Sequence, residues 1–154
     1  MLLTIEKDDL LDGQIIELLK DHLKDMYATS PAESVHALKI DELKQPDIQF
    51  WAAKVNHQVV GCIALKYQNK HYAEIKSMRT VPAKRGFGVA QKLLNTVIEH
   101  AKENHLQHLK LETGTQDFFL PARTLYFKNG FVETQPFAQY KLDKHSTFMT
   151  LALD

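Results

Sequence analysis

The sequence has almost no cysteine, and this scarcity excludes two kinds of site. Its single cysteine, Cys62, has no partner for an intramolecular disulfide and belongs to no thiol cluster that binds zinc. Cys62 lies in the apolar run 59–65, which is typical of a buried central strand, so we expect a structural thiol and no nucleophile. The eight histidines are scattered without the spacing of a helical metal motif. We therefore predict no metal site.

Long hydrophobic runs and an excess of one charge are also missing. No apolar run approaches the ~18 residues that a membrane-spanning helix needs. The first residues lack the basic start and the long apolar core of a signal peptide. Nineteen basic residues balance nineteen acidic residues, so no overall field favours nucleic acid or an acidic membrane. We expect a cytoplasmic protein with no nucleic-acid or membrane partner.

The hydrophobic pattern predicts one α+β domain over residues 1–154, the length of a single domain. Helical periodicity marks residues 14–26, 35–43, 88–104 and 121–129. Strand-like runs occur at residues 2–6, 48–55, 59–65, 73–81, 109–113, 131–134 and 148–153. We expect a mixed sheet of about six to seven strands flanked by about four helices, in which strand 109–113 runs parallel to strand 73–81.

A glycine turn between strand 73–81 and the next helix is the first candidate site. It consists of Arg85, Gly86, Phe87, Gly88, Val89 and Ala90. The free N–H groups and the dipole of a helix N-terminus attract an anion, and the small residues of the turn would let a pyrophosphate approach the backbone. Two other interpretations stay open. One is a helix start without a ligand. The other is the dinucleotide fingerprint Gly-x-Gly-x-x-Gly, in which Gln91 takes the third glycine position and Glu112 ends the next strand.

Glu74 is a carboxylate within the strand that leads to this turn. Strand alternation predicts that it shares a face with Lys76, Met78 and Thr80. A carboxylate inside a central strand is costly unless it is paired or lies in a solvated cleft. Glu74 is therefore either a general base or the partner of an ion pair with Lys76 or Arg79.

Tyr126 is the second candidate for acid–base chemistry. It would share one face of the predicted helix 121–129 with Ala122 and Leu125. A tyrosine in that position either packs in the core or donates its hydroxyl proton to a leaving group.

Three motifs together resemble the GCN5-related N-acetyltransferase (GNAT) family. Arg85-x-x-Gly88-x-Ala90 is similar to the acetyl-CoA signature of that family. Ala73-Glu74-Ile75 resembles the segment that carries a general-base glutamate in several members. Ala122-x-x-Leu125-Tyr126-x-x-x-Gly130-Phe131 is similar to the late helix and strand. Further segments beginning at Ser30, Glu74 and Leu111 look like one bacterial subgroup. The resemblance covers almost the whole chain and implies a GNAT-like fold.

The resemblance implies acetyl-CoA as the cosubstrate. Backbone amides from Arg85 to Ala90 would bind the pyrophosphate of coenzyme A. The strand edge at Met78, Arg79 and Thr80 would pair with the pantetheine arm. One position departs from the family pattern, because Phe119 stands where members often carry an asparagine that contacts the cofactor or a water.

The resemblance also implies an N-acetyltransferase that acts by direct attack of a primary amine in a ternary complex. Glu74 would take the amine proton, directly or through water, and Tyr126 would protonate the departing thiolate. Ser30 and His36 are expected beside the acceptor, which is a small molecule or a protein amine, although His36 otherwise reads as a surface or capping residue. A non-catalytic acyl-CoA sensor or interaction module stays open as an alternative, as does a homodimer.

Overall fold

The computed structural model describes residues 2–35 and 42–154, and a seven-stranded mixed sheet forms its framework. The strands are β1 (Leu3–Asp8), β2 (Ile48–Val55), β3 (Gln58–Tyr67), β4 (Tyr72–Thr80), β5 (His108–Gly114), β6 (Val132–Glu133) and β7 (Ser146–Ala152). The α-helices of the described residues are α1 (Gln14–Thr29), α2 (Val89–Glu103) and α3 (Leu120–Lys128). The sheet order is β1-β2-β3-β4-β5-β7-β6, and among these described strands only the β4–β5 pair is parallel.

These elements confirm the predicted α+β class, the mixed sheet and the parallel pairing of the strands on either side of α2. The remaining predicted helix, over residues 35–43, falls mostly on residues 36–41, which lie outside the described residues. None of the helices in the described ranges is long and apolar enough to cross a membrane.

Two hydrophobic cores cover the two faces of the sheet. The larger core joins the sheet to α2 and α3, and it includes Ile75, Val89, Leu93, Val97 and Tyr126. The smaller core joins the sheet to α1, and it includes Ile15, Leu18, Leu19, Phe50 and Cys62. Apolar residues recur along α1 and α2 at helical spacing, so each helix buries one stripe and leaves its charged side in solvent. The sheet thus has an α1 face and an α2 face, named after the helix that packs on each.

A β-bulge interrupts β4 in the middle of the sheet. Ser77 and Met78 both lie opposite Ile63, because Lys76 pairs with Ala64 and Arg79 pairs with Cys62. Ser77 takes a left-handed φ of 57°, and its carbonyl accepts a hydrogen bond from the Cys62 thiol at 3.2 Å. The extra residue reverses the side-chain alternation beyond it.

The bulge corrects the prediction that Glu74, Lys76, Met78 and Thr80 share one face. Ile75 lies in the α2 core, so its neighbours Glu74 and Lys76 point to the α1 face. Met78, the second of the two residues opposite Ile63, packs against the α2 core instead. Simple alternation fails here because it assumes one residue for every position of the partner strand.

The parallel pair β4–β5 separates soon after it begins. Pairing covers Tyr72–Glu74 of β4 and residues 108–110 of β5, and the register stops there. The rest of β4 has no strand partner on its β5 side, so alternate backbone N–H and C=O groups point into the gap. This gap is the opening around which the candidate site is built.

The end of β5 is packed too tightly to admit a side chain. A Cβ atom built on Gly114 would overlap the ring of Phe119. We expect Gly114→Ala to lower the free energy of unfolding by about 1–3 kcal/mol, because overpacking forces the ring or the backbone to move. Urea denaturation measures the change. Adding Phe119→Leu in the Gly114→Ala background should recover part of the loss, and additive effects of the two substitutions would contradict this contact.

Candidate active site

A cavity of about 520 Å³ lies where β4 and β5 separate. Its wall is formed by α1, β4, the 85–90 turn, β5, α3 and the segment before β7. The volume lies within the usual range for small-molecule sites. The cavity reaches both faces of the sheet, because its lining includes His22 and Met26 of α1 as well as Val89 of α2.

The glycine turn opens α2 toward this cavity. Gly86 and Gly88 take left-handed φ values of 84° and 81°, and Gly88 is the N-cap of α2 without a side-chain cap. A Cβ atom built on either glycine would meet nothing within 4 Å. The space over the turn is therefore open, and the first N–H groups of α2 are available to an anion. These features fit a pyrophosphate held by backbone amides.

The cavity lining includes most of the residues predicted for the cofactor. They are Met78, Arg79, Thr80, Arg85, Gly86, Gly88, Val89 and Ala90. Phe87 is not part of the lining, and its side chain is 63% exposed. The Val89 side chain is buried in the α2 core, so only its backbone faces a ligand.

Tyr126 lies on the α2 face of the gap. Its side chain is buried against Phe131, and its hydroxyl donates a hydrogen bond to the Sδ atom of Met78 at 3.8 Å. Burial raises the pKa of Tyr126 above its ordinary value. The hydroxyl therefore keeps its proton at neutral pH and lines the cavity as a donor.

Glu74 lies on the α1 face of the gap and is 2% exposed. Its Oε1 atom accepts a hydrogen bond from the Gln68 amide at 2.9 Å. Its Oε2 atom accepts hydrogen bonds from Tyr140 at 2.5 Å and from Lys76 at 3.3 Å. Of the two ion pairs predicted for Glu74, the one with Lys76 is present, whereas Arg79 pairs with Asp25. Glu74 is thus a fully hydrogen-bonded carboxylate at the edge of the cavity.

Glu112 is a second carboxylate in the cavity, and the sequence analysis considered it only for the dinucleotide alternative. Leu109 and Leu111 lie in the α2 core, so the side chain of Glu112 points to the same face as Glu74. Burial raises the pKa of Glu112 to about 7. Glu74 raises this pKa further, and Lys76 works in the opposite direction. The apolar alternation in β5 is the sequence signal that places Glu112 beside Glu74.

The segment between β6 and β7 forms the outer wall of the α1 face. It brings Tyr140 to Glu74, and the Tyr140 ring packs against Phe137 and Phe148. Asp143 accepts a hydrogen bond from the Ser34 hydroxyl at 2.6 Å, which connects this segment to the turn after α1. The sequence analysis missed both residues, because the segment carries no recognisable motif.

The residues predicted for the acceptor are only partly described. Ser30 ends α1 as its C-cap and lines the cavity. His36 lies outside the described residues. Phe119 lines the cavity and contacts Phe118, so this position presents an aromatic ring that cannot hydrogen-bond. Among residues 2–35 and 42–154, no group of three His, Cys, Asp or Glu side chains lies close enough to hold a metal ion.

Comparisons with known proteins agree on one family. The profile of the Acetyltransferase (GNAT) family matches residues 15–131. The uncharacterized N-acetyltransferase YsnE of Bacillus subtilis is 43% identical over 149 residues, which cover 97% of this chain and 99% of the relative. An acyl-CoA N-acyltransferase structure from Klebsiella pneumoniae aligns with a TM-score of 0.81 and 26% identity over 99% of both chains.

A structure with a bound ligand shares the same fold. A GNAT acetyltransferase from Elizabethkingia anophelis, solved with acetyl-CoA, aligns with a TM-score of 0.71 and 21% identity over 98% of both chains. The family profile spans most of the described elements, including the 85–90 turn, both candidate carboxylates and Tyr126. The chain therefore belongs to the acetyltransferase (GNAT) family, in which acetyl transfer depends on acetyl-CoA.

Proposed function

We propose that this enzyme transfers the acetyl group of acetyl-CoA to a primary amine by direct attack in a ternary complex. The observation that carries the proposal is the gap between β4 and β5. It connects an open helix N-terminus on the α2 face with two carboxylates on the α1 face. A cosubstrate bound from one face would present its thioester to an amine bound from the other.

The cosubstrate would be held mainly by backbone groups. The N–H groups at the start of α2 would bind the pyrophosphate, with Arg85 at the rim of the turn. The unpaired edge of β4 at Met78 and Thr80 would hydrogen-bond the pantetheine arm in place of a strand. When bound, acetyl-CoA supplies an acyl carbon that is activated as a thioester.

The proton of the acceptor ammonium would pass to the carboxylates of the α1 face. A free alkyl amine has a pKa of about 10.4, so it needs a base at neutral pH. Both oxygens of Glu74 already accept hydrogen bonds, whereas the pKa of Glu112 lies near 7, where a general base works best. We propose that Glu112 takes the amine proton, directly or through water. Glu74 would position Lys76 and Tyr140 beside Glu112.

Formation of the amide bond and cleavage of the thioester would take place in the gap between β4 and β5. The amine nitrogen forms a bond to the acyl carbon, and backbone N–H groups of β4 near the bulge would stabilise the oxyanion. The carbon–sulfur bond then breaks, and Tyr126 would give its proton to the thiolate, while the second proton lost by the nitrogen would pass through solvent and restore the Tyr126 hydroxyl.

We expect Tyr126→Phe to lower kcat by less than about 10-fold, because a thiol with a pKa of about 8.5 leaves readily without a proton. The ring stays in place against Phe131, so the affinity for coenzyme A should not change. Steady-state thiol release and calorimetric titration measure the two quantities. A loss of kcat above 100-fold would show that protonation of the leaving group limits the reaction.

The proposed function is tested by thiol release from acetyl-CoA against a panel of amines, with products identified by mass spectrometry. We expect an N-acetylated product from at least one class of amine. The alternative is an acyl-CoA sensor, which would bind coenzyme A in calorimetry and release no thiol with small amines, peptides or proteins. That result would overturn the proposal.

A further inference from the structure

Two buried polar atoms on the α1 side of the cavity have no hydrogen-bond partner among residues 2–35 and 42–154. Arg79 is 6% exposed, and its Nη2 atom is bound to Asp25 at 2.8 Å, while its Nε atom is buried without a partner. The Nδ1 atom of His22, on α1, is also buried without a partner. Both residues line the cavity.

Such atoms are unusual enough to need an explanation. Folded proteins pair nearly all of their buried polar groups, because each unpaired group costs about 1–3 kcal/mol and a charged group costs more. Arg79 donates from a fixed fork, so its free Nε–H is aimed in one direction. Arg79 lines the cavity, so an anion bound there is a candidate partner for this group.

The position of Arg79 separates it from the proposed pyrophosphate site. Arg79 pairs across the sheet with Cys62, whose side chain lies in the core under α1. The open turn at Gly88 begins α2, and α2 packs on the opposite face. The Arg79 guanidinium therefore points to the face on which the acceptor would bind.

The charges along the cavity differ between its two ends. Burial is the main cause that lowers the pKa of His22 to about 4, with Arg79 and Arg85 acting in the same direction and Asp25 against them, so this histidine is neutral at neutral pH. Around Glu112, the neighbouring charges are those of Glu74, Lys76 and Asp143. The end at His22 therefore holds two arginines against one aspartate, whereas the end at Glu112 holds three carboxyl groups against one lysine.

We propose that Arg79 and His22 form a subsite for a carboxylate of the acceptor, so that the acceptor is an amino acid or a similar short amine with a carboxylate. The inference rests on the proposed function and specifies its substrate class. Arg79 Nε–H donates to one carboxylate oxygen, and neutral His22 donates from Nδ1 in the matching tautomer. Arg79 directly follows the bulge at Ser77 and Met78, so the subsite would adjoin the part of β4 at which the amine attacks.

Matched pairs of acceptors test the subsite on the unmodified enzyme. Each pair consists of an amino acid and its carboxamide, and kcat/KM is compared per unprotonated amine, because loss of the carboxylate also lowers the pKa of the amine. We expect kcat/KM to favour the acid by about 10-fold or more, because a charged hydrogen bond is lost with the amide. Equal kcat/KM values within every pair would overturn the subsite and leave acetyl transfer intact.

Variants show whether Arg79 and His22 bind the acceptor carboxylate or the phosphates of coenzyme A. Arg79→Gln and His22→Phe should reduce the acid-over-amide preference to about 3-fold or less and leave the Kd of coenzyme A unchanged. Lys84→Gln removes another cation of the cavity lining, and it should leave the preference intact. A 10-fold weaker Kd for coenzyme A with an unchanged preference would assign Arg79 to the cofactor and overturn the subsite.

A direct binding measurement covers two remaining outcomes, an Arg79 variant that does not fold and an enzyme that shows no turnover. The unmodified enzyme saturated with coenzyme A is titrated with amino acids and with their amides in a calorimeter. Tighter binding of the acids supports the subsite even when no amine is acetylated. Absence of any difference overturns the subsite, whereas absence of thiol release alone overturns only the proposed function.

Discussion

Gly88→Trp is expected to weaken the binding of coenzyme A by about 100-fold or more, because the indole would occupy the space over the start of α2. A Cβ atom built on Gly88 meets nothing within 4 Å in the described part of the chain, so the substituted protein should still fold. The left-handed φ of 81° adds strain of about 1–2 kcal/mol. Isothermal titration with coenzyme A measures the affinity.

Gly13→Trp is the matched control for this experiment. Gly13 is the N-cap of α1, with a φ of 78°, and a Cβ atom built on it also meets nothing within 4 Å. The two substitutions therefore impose similar strain on similar helix starts. We expect similar losses of stability and a normal Kd for coenzyme A in Gly13→Trp. If Gly88→Trp binds as tightly as this control, the turn does not hold the cofactor.

Glu112→Gln is expected to lower kcat/KM by about 100-fold to 10,000-fold, which is the usual contribution of a general base. In the unmodified enzyme, activity should rise as the pH increases through about 7, because the carboxylate must be deprotonated to accept the amine proton. The variant should lack this inflection. Steady-state rates between pH 5.5 and pH 9 record both effects.

Glu74→Gln distinguishes the two carboxylates. It keeps the size of the side chain and replaces an acceptor of hydrogen bonds from Gln68, Lys76 and Tyr140. If Glu74 positions its neighbours, activity falls but the inflection remains, displaced to lower pH because the charge of Glu74 no longer raises the pKa of Glu112. If the inflection disappears in Glu74→Gln and persists in Glu112→Gln, Glu74 is the base and our assignment of the proton to Glu112 is wrong.

The stability of Glu112→Gln provides an independent readout. The folded-state pKa of Glu112 lies above the ordinary value of 4.5, so the folded protein holds this proton more tightly than the unfolded chain. Stability of the unmodified protein should therefore fall as the pH rises from about 4.5 to about 7. The variant lacks this loss, and its unfolding free energy should exceed that of the unmodified protein by about 1–3 kcal/mol at pH 8.

The sequence predicts the cofactor end of the site better than the acceptor end. Glycines before an amphipathic helix determine local backbone geometry, so the turn from Arg85 to Ala90 can be recognised from adjacent residues alone. Tyr140, in contrast, reaches Glu74 from 66 positions further along the chain, and no local pattern indicates that contact. Ser34 and Asp143 are separated by 109 positions.

The bulge in β4 explains why the faces predicted for its side chains were wrong. A single extra residue at Ser77 and Met78 leaves no distinctive mark in composition. It nevertheless places Met78 on the α2 face and Arg79 on the α1 face, each the reverse of what alternation predicts. The proposed role of Glu112 could not be predicted from the sequence for a related reason. Its pKa depends on burial among side chains of other strands, and sequence spacing does not report burial.

The separation of β4 from β5 has a consequence for the order of binding. In the proposed reaction the two substrates enter from opposite faces and meet only within the gap, so neither obstructs the path of the other. If the proposed reaction holds, steric exclusion would therefore impose no compulsory sequence of arrival on the two substrates.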